Sequence, residues 1–176
     1  MKNYWDEFEY SKLKLLLNNE KVNSILDVRN GIKKMDERFP LSVELHLTDI
    51  CNLKCEWCTD KELRKNGAVM ELDVVSRLFR EFWRHGTGVT LEGGGEPTMH
   101  PEFHRVAEIG QSNSLDMGLI TNGTVDISES ISKMRWARIS LDSSTREEYK
   151  REKGVDCFDR VLMNLEKMSA ARDPEQ

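Results

Sequence analysis

After Pro40 the chain repeats one pattern, in which a short apolar strand is followed by a loop and then by a helix. We predict strands at residues 42–48, 88–92, 115–121 and 136–141, and helices at residues 71–85, 102–112, 127–134 and 158–171. Strands that alternate with helices form βαβ units, and these units build a parallel sheet. The 176 residues are about the length of one domain. The expected fold class is therefore α/β.

The strands separate polar from apolar residues, whereas the strands of most parallel sheets are apolar on both faces. In the first strand Val43, Leu45 and Leu47 alternate with polar residues, and the second and fourth strands alternate in the same way. The third strand departs from the pattern with Ile120. We expect the apolar faces to contact the helices and the polar faces to line a wet concavity, as in a (βα) barrel or half-barrel. Such folds carry their working groups in the loops at the carboxyl ends of the strands, here residues 51–58, 93–97, 121–123 and 140–142.

The first of these loops holds three cysteines, Cys51, Cys55 and Cys58, at spacings of four and three residues. Thiolates select soft metals, namely zinc, copper(I) or an iron–sulfur cluster. Structural zinc sites and cubane clusters usually take four protein ligands, so three close cysteines leave one coordination position open for chemistry. The alternative is a structural zinc site that a distant histidine completes, and the candidates for that ligand are His46, His100 and His104.

Composition excludes several classes of function. The net charge is −5 and the charges are interspersed, which argues against a basic nucleic-acid-binding surface. No apolar run reaches membrane-spanning length, and the first residues lack the apolar region of a signal peptide. We therefore expect a cytoplasmic protein with no membrane or nucleic-acid partner. In that reducing compartment clustered cysteines indicate metal ligands, and Cys157 is expected to be an inert thiol.

The loop at residues 93–97 has the sequence GGGEP. Glycine-rich loops often hold phosphate, but a carboxylate repels phosphate and proline lacks an amide donor. These residues suit a cation instead, because glycines let backbone carbonyls approach closely and Glu96 adds negative charge. A tight turn that merely needs glycine is the alternative interpretation.

The cysteine spacing, with the aromatic residue Trp57 just before Cys58, resembles the CxxxCxφC loop of the radical S-adenosylmethionine (radical SAM) enzymes. The resemblance implies a [4Fe–4S] cluster on Cys51, Cys55 and Cys58 whose remaining iron binds the amine and carboxylate of S-adenosylmethionine. It also implies a metal-binding oxidoreductase, in which reduction of the cluster cleaves S-adenosylmethionine to a 5′-deoxyadenosyl radical. Trp57 would lie beside the cluster and against the adenine, and a buried core position is the alternative.

The GGEP motif of the same family is similar to Gly94, Gly95, Glu96 and Pro97. This similarity implies that these residues hold the ammonium group of S-adenosylmethionine. The run from residue 119 to 123 resembles the third-strand segment of the family, whose end faces the cofactor, and Asn122 is its candidate contact.

The segment after the fourth strand resembles the "SLD" segment of the family. The resemblance implies that Ser140 contacts the carboxylate or ribose of the cofactor, while Asp142 serves the ribose or caps the next turn. Family members often pair an arginine just before the next glycine with the cofactor carboxylate, but this chain has Lys153 there and Arg151 two residues earlier. Lysine offers a point charge and not a bidentate fork, so a solvated helix face is the preferred interpretation of residues 147–154.

The resemblance covers about residues 40–170 and implies a partial (βα) barrel, a radical SAM core truncated after about four βα units. We expect a helical N-terminal extension at residues 1–39, with two short helices, and the barrel core at residues 40–176. Cores of this family usually have more strands, so we expect a fragment of a longer enzyme or a partner chain that covers the open edge.

The same resemblance implies an electron donor such as flavodoxin or ferredoxin. Residues 140–160 look like members that modify peptides and carry a further C-terminal cluster domain, and also like relatives that act on nucleotides or sugars. A peptide or protein is the expected substrate, and no residue is assigned to the chemical step. The alternatives are a zinc-stabilised α/β binding module without catalysis and a truncated, inactive radical SAM fragment.

Overall fold

A computed structural model describes residues 19–32, 40–64 and 67–171. By its internal contacts the chain divides into two compact units, Met1–Leu41 and Ser42–Gln176. The described part of the first unit is the helix α1 (Asn19–Arg29), which ends in a turn at Asn30 and Gly31. This helix corresponds to the second of the two predicted short helices, whereas the first lies outside the described residues.

The second unit is built on one sheet of four parallel strands in the order β1-β2-β3-β4. The strands are β1 (Ser42–Leu45), β2 (Gly88–Leu91), β3 (Met117–Thr121) and β4 (Trp136–Ile139). The helices are α2 (Leu72–Arg84), α3 (Phe103–Ser112), α4 (Ser128–Ile131), α5 (Arg146–Lys153) and α6 (Phe158–Ala171), with a short 3-10 helix at Pro97–Met99. This alternation confirms the predicted α/β class and partial barrel.

The strand β1 is shorter than predicted because residues 46–48 leave the sheet. Thr48 forms an antiparallel bridge with Val69, and its hydroxyl donates to the carbonyl of Ala68 at 2.8 Å. The amide of Met70 donates to the carbonyl of Leu47 at 2.9 Å. The chain that enters the cysteine loop is therefore held by the segment before α2.

Differences of two or three residues occur at three other predicted boundaries. The strand β3 begins at Met117 and not at residue 115, because the amide of Leu115 donates to the carbonyl of Gly110 and closes the turn after α3. The helix α4 stops at Ile131, and residues 132–134 continue as a turn. The strand β4 ends at Ile139, two residues before the predicted end.

The apolar faces of the strands pack against α2 and α3, as the alternation predicts. The buried cluster includes Leu45, Val89, Leu91, Met117 and Leu119 from the sheet, and Val75, Phe79, Phe82, Val106 and Ala107 from the helices. Each of these side chains other than that of Ala107 contributes about 1.5–3 kcal/mol when it is fully buried. This cluster fixes the sheet, and the sheet in turn places the loops at its carboxyl edge.

The opposite face of the sheet carries the predicted polar residues. Glu44 is paired in register with Thr90, and Gly118 lies between Thr90 and Trp136. A Cβ at Gly118 would lie 2.2 Å from the Trp136 ring, so the indole covers the glycine closely. Burial and then the neighbouring Glu44 raise the pKa of Glu92 on the same face. Within the described ranges no helix has the length and apolar character needed to cross a membrane.

Candidate cofactor site at the carboxyl edge of the sheet

The glycine loop lies directly against the backbone that leads into the cysteine loop. The amide of Gly95 donates to the carbonyl of Thr48 at 2.7 Å, and the amide of Glu96 donates to the carbonyl of Ile50 at 2.8 Å. Ile50 immediately precedes Cys51. The two loops that were predicted to share one rim are therefore joined by two backbone hydrogen bonds.

This close approach explains why glycine is needed at two positions of the loop. A Cβ at Gly95 would lie 2.1 Å from the carbonyl oxygen of Ile50, and one at Gly93 would lie 2.2 Å from Nε2 of His46. Gly93 also has a positive φ of 69°, which glycine adopts at little cost. The glycines thus serve packing between two loops, in addition to any contact with a cofactor.

Glu96 is only 4% exposed, and its carboxylate is bound by donors of the chain itself. Its Oε1 accepts from the amide and hydroxyl of Thr98 at 3.1 and 2.6 Å and from the hydroxyl of Thr121 at 2.5 Å. Its Oε2 accepts from the amide of Asn122 at 2.7 Å. A carboxylate has about four acceptor positions, so this side chain acts as a strut between the loop after β2 and the end of β3.

Asn122 belongs to a network of side chains that reaches the cysteine loop. Its Nδ2 donates to Oδ1 of Asn52 at 2.9 Å, and Nδ2 of Asn52 donates to the hydroxyl of Thr124 at 2.7 Å. The hydroxyl of Thr124 donates in turn to Oδ1 of Asn122 at 2.7 Å. Because Asn52 follows Cys51, this closed triangle fixes the start of the cysteine loop to the end of β3.

The last turn of α5 supports the other half of the cysteine loop. The amide of Lys54 donates to the carbonyl of Lys153 at 2.9 Å, and the amide of Glu56 donates to the carbonyl of Glu152 at 3.2 Å. Gly154 ends α5 with a φ of 69°, and a Cβ there would lie 2.9 Å from Lys54. Cys55 therefore lies between two backbone hydrogen bonds to α5.

Lys153 is buried, so the predicted solvated face of residues 147–154 is wrong at this position. Its side chain is 3% exposed, and its Nζ lies 2.5 Å from Oδ2 of Asp142. The same Nζ lies 5.3 Å from the centre of the Trp57 ring. The reason is that the amphipathic lysine can bury its stem while its charge finds an anion and an aromatic face. Arg151, in contrast, is exposed.

Trp57 is 52% exposed, which is the opposite of the core position considered as its alternative. Pro97 is buried and begins the 3-10 helix. The amide of Ser140 donates to the carbonyl of Thr121 at 2.8 Å, which places Ser140 beside the end of β3. The predicted cofactor contacts thus lie in loops that the structure joins to one another.

The three cysteines of the loop are free thiols that are partly exposed. Burial raises the pKa of Cys55, Lys153 opposes this effect, and negative charge on Cys51 and Cys58 adds to it. The thiols are therefore near enough to repel one another as thiolates, and a cationic metal group would relieve that repulsion. This donor set fits a metal cluster.

No three His, Cys, Asp or Glu side chains converge on a single point within residues 19–32, 40–64 and 67–171, as the ligands of one metal ion would. A cubane iron–sulfur cluster does not require its ligands to converge on one point, because each cysteine binds a different iron. Cys58 accepts a hydrogen bond from Nη2 of Arg64 at 3.2 Å. The donor set of this loop is therefore three separate thiols, without a single-ion site among the described residues.

The histidines considered as zinc ligands make other contacts. Nε2 of His100 lies 2.8 Å from the carbonyl of Met70, and its Nδ1 accepts from the amide of Glu102 at 3.1 Å. Nδ1 of His104 lies 2.6 Å from the hydroxyl of Ser130. His46 packs against Gly93, as described above. His100 and His104 thus use ring nitrogens in contacts with the chain itself.

Two functional positions escaped the sequence analysis. Asn52 lies between two cysteines, and no role was predicted for it. The signal that could have identified it is a side-chain amide next to a predicted metal ligand, since such an amide can fix the loop by hydrogen bonds. Tyr149 lies in the highly charged run of α5, and it is completely buried. Its only signal was the spacing of four residues to Lys153, which places both side chains on one helical face.

The chain resembles curated proteins and solved structures over most of its length. It is 29% identical over 130 residues to a probable GTP 3′,8-cyclase of Pyrococcus abyssi, a match that covers 72% of this chain and 42% of that relative. The structure of Streptococcus suis SuiB bound to its precursor peptide SuiA matches with a TM-score of 0.66 and 18% identity, over 87% of this chain and 36% of that one. Native anSMEcpe with bound AdoMet matches with a TM-score of 0.61 and 22% identity, over 75% of this chain and 41% of that one.

At these identities the structural likenesses show the fold, and the chain spans less than half the length of each of these proteins. The family is shown by the sequence itself. The profile described as "Radical SAM superfamily" matches residues 45–173, from the end of β1 to beyond α6, and includes all three cysteines of the loop and the glycine loop. The chain therefore belongs to the radical SAM superfamily, and the resemblance stated from its motifs is confirmed.

Proposed function

We propose that this chain is the cofactor-binding core of a radical SAM enzyme, with a [4Fe–4S] cluster on Cys51, Cys55 and Cys58 and S-adenosylmethionine beside it. Members of the superfamily use these two cofactors, and homologues of the chain are enzymes. Because the chain spans 42% of its Pyrococcus relative, the complete activity is proposed for the chain together with further strands. These would come from a longer chain or from a partner.

One observation carries this proposal: the cysteine loop is held from both sides by the elements that carry the other predicted contacts. The glycine loop bonds to Thr48 and Ile50 before the first cysteine, and α5 bonds to Lys54 and Glu56 around the second. A loop whose only task was to turn the chain would not need support from three distant segments. Such support pre-organises ligands for a metal group.

The residues divide the binding of S-adenosylmethionine among them. We assign the ammonium group to the backbone carbonyls of the glycine loop, at Gly94 to Pro97, because the Glu96 carboxylate already holds the loop in place. Ser140 and Asn122 are assigned to the carboxylate or ribose, Asp142 to the ribose, and Trp57 to the adenine. Lys153 is assigned as a cation for the cofactor carboxylate, which would compete with Asp142 for the Lys153 ammonium group.

The chemistry supplied by the two cofactors is reductive cleavage of S-adenosylmethionine to a 5′-deoxyadenosyl radical, which abstracts a hydrogen atom from the substrate. The chain binds and orients the reactants and keeps water away from them. Glu96 and Asn52 do so by fixing the loops, and α5 does so by covering one side of the cysteine loop. The electron would come from a cytoplasmic donor such as flavodoxin or ferredoxin.

We propose a peptide or protein as the substrate. The fold neighbour SuiB was solved with a precursor peptide and covers 87% of the chain, which supports this choice. The Pyrococcus relative is a probable GTP 3′,8-cyclase, so a nucleotide is the rival substrate class. Substrate-dependent formation of 5′-deoxyadenosine with a peptide library and with nucleoside triphosphates separates the two classes.

Anaerobic reconstitution tests the cofactor assignment. We expect a brown protein with about four irons per chain, an EPR spectrum that changes when S-adenosylmethionine is added, and 5′-deoxyadenosine after reduction with dithionite. A colourless protein with one tightly bound zinc would instead support a zinc-stabilised binding module.

The length of the chain is tested by the same assay. A chain extended by the strands that complete the barrel should form more 5′-deoxyadenosine than residues 1–176 do. If the present chain binds the cluster but forms no 5′-deoxyadenosine while the extended chain does, the present chain is an inactive fragment. Equal rates from both would contradict the need for further strands.

A further inference from the structure

Tyr149 is fully buried, and its hydroxyl has no hydrogen-bond partner. Within the described residues only the Nε of Arg64 shares this condition among buried side-chain nitrogen and oxygen atoms. A buried polar group without a partner costs about 1–3 kcal/mol. Proteins rarely keep such a group without a reason, and a missing ligand is one of the common reasons.

The place of Tyr149 in the fold points to that ligand. Tyr149 precedes Lys153 by one helical turn, so both side chains lie on the face of α5 that supports the cysteine loop. The backbone on each side of Cys55 bonds to the last turn of this helix, at Lys153 and Glu152. The Phe158 ring, with its centre 5.8 Å from that of Tyr149, packs beside the phenol.

The negative groups that influence Tyr149 are Cys157, Cys55 and Glu96, and each of them can accept a hydrogen bond. Burial raises the pKa of Tyr149 to about 12, and the negative groups Cys157, Cys55 and Glu96 add to this effect. The phenol therefore carries its proton at every physiological pH and is available as a donor. The carboxylate of Glu96 already has donors of its own, as shown above, which leaves sulfur as the acceptor.

We propose that Tyr149 is a positioning residue of the cluster, and that its hydroxyl donates a hydrogen bond to a sulfur atom of the bound cluster or of its ligand Cys55. This inference rests on the proposed function. A hydrogen bond to sulfur stabilises the reduced cluster, which carries one more negative charge, and so raises the reduction potential. Tyr149 would thereby make the first electron easier to deliver.

The variant Tyr149→Phe removes the hydroxyl and keeps the ring. We expect it to bind as much iron as the wild type, but with a threefold to tenfold lower ratio of reduced to oxidised cluster at a fixed solution potential. A tenfold change corresponds to 59 mV for a one-electron couple. The measurement is a potentiometric titration followed by EPR. An unchanged ratio would overturn the inference.

Two further readouts separate this role from a structural one. Without cluster, Tyr149→Phe should be as stable to urea as the wild type or more stable, because a hydroxyl without a partner is lost. A clearly less stable apo variant would mean that the hydroxyl has a partner in the chain, and would contradict the proposal. In the loaded wild type, transfer to D₂O should shift the Fe–S vibrations, and this shift should shrink in the variant.

Cys157 supplies the matched control, since it is the other sulfur among the groups that influence Tyr149. Cys157→Ser should leave the ratio of reduced to oxidised cluster unchanged if the hydroxyl bonds to the cluster. A shift in Cys157→Ser that equals the shift in Tyr149→Phe would assign the hydroxyl to Cys157 and overturn the inference. A wild type that assembles no iron–sulfur cluster would contradict the proposed function itself, which is a different outcome.

Discussion

The backbone amide of Asn122 donates to Oε2 of Glu96 at 2.7 Å, and this bond joins the end of β3 to the glycine loop. Glu96→Gln should lower the free energy of unfolding by about 1–3 kcal/mol, because the amide nitrogen that replaces one carboxylate oxygen cannot accept from these donors. Urea unfolding of the chain measures the change.

The exposed Glu108 on α3 offers a matched control for this substitution. Glu108→Gln should stay within about 0.5 kcal/mol of the wild type. Equal losses of stability in Glu96→Gln and Glu108→Gln would show that the hydrogen bonds of the buried Glu96 carboxylate make no specific contribution.

The triangle of Asn52, Asn122 and Thr124 predicts a separate effect on metal retention. Asn52→Ala removes two hydrogen bonds and should cost about 1–2 kcal/mol, and it should also speed the loss of iron to a chelator. Asn113→Ala is the control, because the Asn113 side chain donates to the carbonyl of Ile109 at the end of α3, at 2.7 Å. It should lower stability without changing the rate of iron loss. Similar rates of iron loss in both variants would contradict the role of Asn52.

Alanine variants of Gly95 and Gly86 distinguish the cost of close packing from the cost of backbone strain. Gly86 has a φ of 64° and no atom within 4 Å of an added Cβ, so Gly86→Ala should cost only the strain of a left-handed residue, about 1–2 kcal/mol. A Cβ at Gly95 would meet the Ile50 carbonyl, and overpacking of this kind costs about 3 kcal/mol. Gly95→Ala should also lower iron content, because Ile50 precedes Cys51. Equal stability to urea and equal iron content in Gly95→Ala and Gly86→Ala would show that the close approach of Gly95 to Ile50 is not important.

We predict that the three cysteines of the loop are required for iron binding and that Cys157 is not. Cys51→Ser, Cys55→Ser and Cys58→Ser should each lose most of the iron and sulfide after reconstitution, whereas Cys157→Ser should keep about four irons per chain. Iron and sulfide analysis with absorption spectra checks this. Loss of iron from Cys157→Ser would assign a fourth thiol ligand and would remove the open coordination position.

The contact of Asp126, in the loop after β3, with Lys167 of α6 should be sensitive to acid. The hydrogen bond from Lys167, together with bonds from Ser128, lowers the pKa of Asp126 from 3.8 to about 2. A carboxyl whose pKa is lowered in the folded state stabilises it above the unfolded pKa, and this contribution is lost as the pH falls from about 4 to about 2. In Asp126→Asn the free energy of unfolding should depend less on pH in this window.

Urea unfolding of the apo chain at several pH values between 2 and 5 gives this dependence. Lys167→Met should flatten the same part of the curve, since it removes the first cause of the shift. A variant curve parallel to that of the wild type would show that the Lys167–Asp126 contact is not formed in solution.

The sequence was sufficient for the positions of the strands and of the three cysteines, because alternation and spacing are local patterns. It was also sufficient to place four loops on one rim, since parallel strands end on the same side of a sheet. The contacts between those loops were not predictable in the same way. Thr121 and Glu96 are 25 residues apart, and nothing local indicates that a carboxylate which looks suited to a ligand will bind the chain's own hydroxyl.

The error at α5 has a similar cause. The run REEYKREK is so highly charged that its average character indicates a surface helix. Yet Tyr149 and Lys153 are both buried, because Phe158 packs beside Tyr149 and Trp57 of the cysteine loop, almost a hundred residues earlier, lies beside Lys153. Burial here depends on a partner segment that the helix sequence does not describe.

The docking of α5 on Lys54 and Glu56 has a consequence for biosynthesis. The three cysteines leave the ribosome well before α5 does. In the nascent chain the cysteine loop therefore lacks its hydrogen bonds to α5. Productive cofactor loading should therefore require that α5 has already folded against the cysteine loop.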